Sequence, residues 1–106
     1  KAYAIESPVA DAAQNGDVAL TKQLLHEGVD VNTPQGDGMT ALHWAAERGD
    51  TELTEVLIYA GANFVAGTRI GQYKPLHLAA RKGNADIIKI LLDAGVDPNI
   101  KTANSG

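Results

Sequence analysis

The residues best suited to catalysis or metal binding are His43 and His77, which occupy the same place in two similar stretches, TALHWAAERGD and KPLHLAARKGN. A histidine side chain serves as a general base or as a metal ligand. Neither histidine has another histidine four residues away, and the chain contains no Cys-x-x-Cys or His-Glu-x-x-His pattern. Because these are the usual spacings of zinc sites, we expect no metal site.

Carboxylates and one glycine-containing loop are the other candidates for chemistry. Asp17 and Asp50 each follow a glycine and precede an apolar stretch, which is the typical position of a helix N-cap rather than of an acid-base pair. The segment GTRIG lacks the lysine and the following helix of a phosphate-binding loop. We predict that the chain is not an enzyme and that it binds no cofactor.

Composition excludes several other classes of protein. The 106 residues carry a net charge of −4, with 13 acidic against 9 basic side chains, which argues against a nucleic-acid binder because such proteins need a basic surface. No apolar run is long enough to span a membrane, and the absence of cysteine rules out disulfide bonds. We expect a soluble single domain and weakly favour the cytoplasm, although a secretion signal removed before residue 1 would leave no trace.

The sequence repeats itself with a period of 33 to 34 residues. The pair Ala45-Ala46 recurs as Ala79-Ala80, 34 residues later, and as Ala12-Ala13, 33 residues earlier. Glycines and leucines recur at the same intervals. A period of this length indicates a repeat architecture. We therefore divide residues 1–106, taken as one domain, into three repeats at about 7–38, 39–72 and 73–106.

Each repeat carries the signals of two consecutive helices. In the middle repeat a first helix is predicted over residues 41–48, between the capping hydroxyl of Thr40 and the terminating Gly49. A second helix follows, with apolar residues spaced three and four apart. Its expected buried stripe consists of Leu53, Val56, Leu57 and Ala60, or of Ile87, Ile90, Leu91 and Ala94 in the third repeat. The other expected N-caps are Ser7, Asp17, Asp50 and Asn84. Turn-forming residues then predict exposed, hairpin-like loops in TPQGDGM and AGTRIGQYK.

The alanine pairs need an explanation, because leucine in the middle of a helix would bury more surface. Leu42, Ala45 and Ala46 share one face of the first helix. If repeats stack side by side, small residues bring neighbouring first helices toward the short end of the usual interaxial distance of about 8–10 Å. The alanines therefore predict tight stacking of first helices, with Ala12, Ala45 and Ala79 buried.

These stretches resemble a known family. TALHWAAERGD and KPLHLAARKGN are similar to the TPLHxAAxxG signature of ankyrin repeats, and EGVDVN, AGANF and AGVDPN resemble the GADVN element of that family. Ala41, Val65 and Lys74 depart from the family pattern. The resemblance implies an all-α solenoid of stacked antiparallel helix pairs with projecting hairpin-like loops. It also implies that His43 and His77 are structural and link each helix start to the adjacent loop.

The same resemblance implies a protein-binding surface on the first helices and the loop tips. On the helices, the candidate contact residues opposite the alanine face are Asp11, Gln14, Asn15, Trp44, Glu47, Arg48, Leu78, Arg81 and Lys82. On the loops, the candidates are Asp37, Met39, Arg69, Ile70 and Tyr73. The partner is expected to be another protein, with an acidic group near Arg81 and Lys82. The alternatives are that Trp44 is half-buried against a neighbouring repeat, that Tyr73 packs on the preceding helix, and that Arg81 and Lys82 form only a solvated helix end.

A second hypothesis concerns the end of the third repeat. No polar terminal cap follows it in the sequence, so a face that includes Ile87, Ile88, Leu91 and Leu92 is expected to be partly uncovered. We expect a monomer, with weak self-association through this repeat or a role as a segment of a longer array as the alternatives.

Overall fold

The computed structural model describes residues 6–103, and this part of the chain contains six α-helices and no β-strand. In chain order the helices are α1 (Pro8–Gln14), α2 (Val18–His26), α3 (Ala41–Arg48), α4 (Thr51–Tyr59), α5 (Pro75–Lys82) and α6 (Ala85–Ala94). A turn of two or three residues separates the helices of each pair. Because such a short connection reverses the chain direction and the two helices remain in contact, each pair is an antiparallel helical hairpin.

The three helical hairpins stack in two layers. The leading helices pack in the order α1, α3, α5, and the trailing helices pack in the order α2, α4, α6. Longer loops connect one hairpin to the next, over residues 27–40 and 60–74. The predicted all-α solenoid of stacked helix pairs is therefore confirmed.

The predicted ends of the middle helices are also confirmed. Helix α3 spans Ala41–Arg48, and Gly49 terminates it in the left-handed conformation with φ of 70°. Before the trailing helices, the carboxylates of Asp17 and Asp50 accept hydrogen bonds of 3.0 Å from the backbone N–H groups three residues later. These caps satisfy donors that a helix start otherwise leaves unpaired.

Two expected caps are wrong. Ser7 is buried at the start of α1, but its side chain makes no cap hydrogen bond. Asn84 precedes α6 but does not cap it either. Its side-chain Nδ2 donates instead to the carbonyl oxygen of Ala46 at 3.4 Å, so that this amide connects the third hairpin to the second.

The alanines lie where the leading helices meet. Ala12 is 2% exposed, and Ala45 and Ala79 are fully buried. Ala46 is also fully buried, whereas the equivalent Ala80 is exposed because the described part of the chain has no fourth hairpin to cover it. Close approach of leading helices is thus the reason for the small side chains.

The trailing helices differ from the expected stripe at several positions. Ala60 is exposed rather than buried. Ile87 and Leu91 are almost fully buried, which confirms their place in the stripe, whereas the expectation that they belong to a partly uncovered face is wrong. Thr21 and Thr54 are fully buried polar residues that the sequence pattern did not reveal. Their hydroxyls donate to the backbone carbonyls four residues earlier at 2.8 Å, so no polar atom is left unpaired.

The repeat boundaries at about 7–38, 39–72 and 73–106 remain predictions, and the last three residues of the third repeat lie outside the described residues.

The contrast between Ala46 and Ala80 gives a matched test of the stacking argument. Ala46→Leu adds a large side chain where α3 meets the third hairpin, and we expect a loss of stability of about 1–3 kcal/mol from overpacking. Ala80→Leu places the same side chain at the equivalent exposed position and is expected to change stability by less than about 0.5 kcal/mol. Urea unfolding followed by helical circular dichroism measures both. Equal losses in the two variants would contradict the argument.

Candidate functional site

His43 connects the start of α3 to the following loop. Its Nδ1 accepts a hydrogen bond from the backbone N–H of Thr40 at 3.1 Å, and its Nε2 lies 2.8 Å from the backbone carbonyl oxygen of Tyr73. Because a carbonyl only accepts, Nε2 carries a proton, and because Nδ1 accepts the N–H of Thr40, Nδ1 carries none and the ring is neutral. His77 makes the same pair of contacts, with Lys74 at 2.9 Å and Ile100 at 2.9 Å. The expected linking role of both histidines is confirmed.

Burial lowers the pKa of His43 below its ordinary value of 6.5, and this effect outweighs the hydrogen bond to Tyr73, which favours the charged form. The ring is fully buried, and both of its nitrogen atoms already have partners. A ring in this setting does not accept a substrate proton. Within residues 6–103, no group of three or more histidine, aspartate or glutamate side chains is placed to hold a metal ion.

A cleft of about 250 Å³ lies between the leading helices α3 and α5 and the loops. We call this cleft the groove. Its lining residues are Asp37, Met39, Trp44, Glu47, Thr68, Tyr73, Leu78 and Arg81. All of these except Thr68 were proposed as contact residues from the sequence. The structure therefore brings helix candidates and loop candidates from the second and third hairpins together in one cavity.

A second cleft of about 420 Å³ lies between the tips of the two loops and is lined by Gly36, Asp37, Met39, Thr68, Arg69 and Ile70. We call it the loop-tip cleft. It adjoins the groove, because Asp37, Met39 and Thr68 line both cavities. The backbone N–H of Arg69 donates to the carbonyl oxygen of Asp37 at 2.9 Å, which holds the two loops together. The Ile70 side chain is 81% exposed beside this contact.

Gly38 permits this contact between the loops. Its φ is 86°, and a Cβ atom at this position would lie 2.6 Å from the backbone nitrogen of Arg69. Any other residue would be strained in this conformation and would also push the second loop away. Both clefts therefore depend on a glycine that the sequence reading treated only as a turn former.

Trp44 is half-buried, as one of the alternatives from the sequence proposed, yet it still lines the groove. Its indole N–H donates to Oε1 of Gln35 at 2.8 Å. The amide nitrogen of Gln35 in turn donates to Oδ1 of Asp11 at 2.8 Å and to Oε1 of Gln14 at 2.9 Å. Two candidates on α1 are thus joined to Trp44 through Gln35, a residue that sequence reasoning missed because a loop glutamine carries no distinctive pattern.

The charged candidates on the leading helices make contacts between hairpins. Glu47 pairs with Arg81 at 3.2 Å and with Lys82 at 3.4 Å. Arg48 donates to the backbone carbonyl oxygen of Gln14 at 3.2 Å. The two cations that were expected to meet an acidic partner therefore share one carboxylate within the chain, although their side chains are still 61% and 47% exposed.

The surroundings of three further candidates are as follows. Leu78 is only 4% exposed and belongs to the hydrophobic core, so the expectation that it presents an exposed apolar surface is wrong. It lines the groove as its floor. Asn15 is exposed at the end of α1 and lines neither cleft. Tyr73 is 39% exposed and packs edge-on against the ring of His77, with 6.3 Å between ring centres.

Comparison with known proteins identifies the family. Residues 9–102 match the family described as ankyrin repeats, in three copies. The chain belongs to the ankyrin repeat family. Ankyrin repeats generally mediate protein–protein interactions, and ankyrin repeat domains are typically non-catalytic.

Several curated relatives contain a similar segment. Palmitoyltransferase Hip14 of Drosophila melanogaster is 34% identical over 95 residues, which cover 90% of this chain and 15% of that protein. Ankyrin repeat domain-containing protein 39 of Homo sapiens is 35% identical over 63 residues, which cover 59% of this chain and 34% of that protein. Osteoclast-stimulating factor 1 of Rattus norvegicus is 35% identical over 57 residues, which cover 54% of this chain and 27% of that protein. The chain thus spans no more than 34% of the length of these relatives. Within residues 6–103, no helix is long and apolar enough to cross a membrane.

The lowered pKa of His43 predicts a dependence of stability on pH. The folded chain holds this ring neutral. At pH values above the ordinary pKa of 6.5, His43 therefore makes its full contribution to the free energy of unfolding. This contribution is lost as the pH falls from 6.5 through the lowered pKa. His43→Gln is expected to reduce stability by about 1–3 kcal/mol at neutral pH, because buried partners lose their hydrogen bonds, and to weaken the pH dependence below 6.5.

Urea unfolding at a series of pH values measures this effect, and His26→Gln, at an exposed position on α2, is the control. A pH dependence that remains unchanged in His43→Gln would refute the assignment to His43.

Proposed function

We propose that this ankyrin repeat domain is a non-catalytic interaction module that binds a partner protein through the groove and the loop-tip cleft. The observation that carries the proposal is the groove itself, where an aromatic, a thioether and charged side chains from two hairpins and two loops line one cavity. Contacts already present in the free chain hold this cavity in shape. Binding to a preformed surface loses less conformational entropy than binding that must order loops.

Trp44 is the proposed centre of the contact. Tryptophan is enriched among the residues that dominate binding energy at protein interfaces. Trp44 lines the groove together with Met39 and the buried Leu78, which give it apolar lining, while the exposed Asp37 and Arg81 add charges to the same cavity. An apolar centre with a polar rim is the usual arrangement of a protein-binding surface.

The charges near α5 favour a partner with an acidic group. Arg81 and Lys82 share the single carboxylate of Glu47, which leaves one positive charge uncompensated within this cluster. An acidic side chain of the partner would meet exposed guanidinium and ammonium groups there. We further propose that the partner is not a nucleic acid, because the whole chain carries a net charge of −4.

Self-association is the second candidate, and an exposed apolar cleft favours it. This cleft of about 230 Å³ lies on the open side of the third hairpin and is lined by Leu76, His77, Ala80, Ile88, Leu92 and Pro98. In the second hairpin, Ala46 and Thr54 at the positions of Ala80 and Ile88 are fully buried beneath the next hairpin. The open side therefore has the chemistry of a stacking surface, suited to a further repeat of a longer array or to a second copy of itself.

Affinity capture tests the proposed groove. Wild-type chain and a variant with Trp44→Ala, Arg81→Ala and Lys82→Ala are immobilised and exposed to an extract of cells that express the protein. We expect proteins retained by the wild type to be lost from the variant, because the apolar centre and the basic edge of the groove are removed together. Melting curves confirm that the variant is folded. Equal retention by two folded chains would sink the proposed function.

Light scattering tests the second candidate. If two open sides pair, the mass of the wild type rises with concentration, and Leu92→Glu returns it to that of a monomer because a charge enters the apolar contact. Leu20→Glu is the matched control, since Leu20 is 40% exposed and Leu92 is 39% exposed, but Leu20 lies on the first hairpin. A wild-type mass that stays monomeric at every concentration would exclude self-association.

A further inference from the structure

Gln35 makes hydrogen bonds through every polar atom of its side chain. Its Oε1 accepts from the indole N–H of Trp44 at 2.8 Å, and its Nε2 donates to Asp11 at 2.8 Å and to Gln14 at 2.9 Å. An amide nitrogen has two N–H bonds, and here two acceptors lie within reach of it. One loop side chain therefore joins the first hairpin to the tryptophan of the second.

The glutamine amide suits these partners because it offers both an acceptor and donors. The indole N–H is a donor and needs an acceptor, whereas the carboxylate of Asp11 is an acceptor and needs a donor. Glutamate would offer oxygen to both and would place two carboxylates side by side. Lysine would satisfy Asp11 but would have no acceptor for the indole, and methionine would satisfy neither. The partners also fix which end of the amide faces Trp44, because the reversed amide would oppose donor to donor.

The backbone of Gln35 holds the side chain in place. Its N–H donates to the carbonyl oxygen of Met39 at 2.9 Å, and its carbonyl oxygen accepts from the N–H of Gly38 at 2.8 Å. These two bonds close the first loop directly before α3. Gln35 is therefore anchored at the loop and reaches α1 and Trp44 from a fixed point.

We propose that Gln35 is a positioning residue of the groove, which fixes the orientation of the Trp44 indole and couples that orientation to Asp11 and Gln14 of the first hairpin. The inference rests on the proposed function in one step, namely that a partner protein contacts Trp44. A partner then meets a ring that is already oriented, and the first hairpin contributes to binding without touching the partner.

The first experiment measures the indole N–H of Trp44 in the free chain. Trp44 is the only tryptophan in the sequence, so its indole signal in a nitrogen-correlated NMR spectrum is unambiguous. Gln35→Met is expected to speed exchange of this proton with water about fivefold, as the loss of one hydrogen bond predicts. Gln23→Met is the matched control on the exposed surface of α2 and is expected to leave the rate unchanged. An unchanged rate in Gln35→Met would overturn the proposal.

A rescue variant separates positioning from a general loss of stability. Gln35→Glu is expected to speed exchange, because the new carboxylate repels Asp11 and the side chain leaves its place. Adding Asp11→Lys supplies a donor for one glutamate oxygen and leaves the other for the indole, so exchange is expected to slow again. If the double variant exchanges as fast as Gln35→Glu alone, the proposed chain of contacts is wrong.

The binding step uses a peptide selected from a random library on the wild-type chain and counter-selected on Trp44→Ala. We expect Gln35→Met to weaken binding of this peptide about fivefold, in line with one lost hydrogen bond, and Gln23→Met to leave it unchanged. Equal binding by wild type and Gln35→Met would overturn the positioning role. Equal binding of cellular proteins by wild type and by the folded variant with Trp44→Ala, Arg81→Ala and Lys82→Ala would instead refute the proposed function, while the exchange results would still stand.

Discussion

The structure depends on the close approach of the leading helices. Fully buried alanines at Ala45, Ala46 and Ala79 keep side chains small where α1, α3 and α5 pack together. Neighbouring hairpins are therefore near enough for polar groups on the groove side to reach each other directly. Glu47 of α3 contacts Arg81 of α5, and Arg48 of α3 contacts the backbone of Gln14 of α1, so both contacts connect neighbouring leading helices. Small residues on one face of a helix thus determine the contacts made on the other face.

The loops are held at the other edge of the groove by a separate set of contacts. His43 binds the carbonyl of Tyr73, and the loop tips meet where Gly38 allows the backbone of Arg69 to approach. Each loop is consequently fixed to a helix of the preceding hairpin or to the preceding loop. The groove lies between two edges that are both defined before any partner binds, so its shape follows from the stacking of hairpins.

Local sequence signals predicted the helices well, because they act over a few residues. The bounds of α3 and the cap at Asp50 follow from neighbours in the sequence. The burial of Leu78 and the contact between Gln35 and Trp44 were not predictable in this way. They depend on how α5 is rotated against α3 and on the path of the first loop, which distant residues determine. The missing cap at Asn84 has the same origin, since its amide meets a carbonyl 38 residues earlier.

The hydrogen bond of Trp44 changes what a partner must provide. A buried indole N–H without an acceptor carries a desolvation cost when a partner covers it, but here Gln35 already accepts that bond. Under the proposed function, the partner then needs only an apolar surface to match the ring, and the indole adds little discrimination between apolar partners. Discrimination must come from the groove edge, where Asp37 and Arg81 present opposite charges within one cavity. The proposed function thus assigns affinity and specificity to different residues of the same groove.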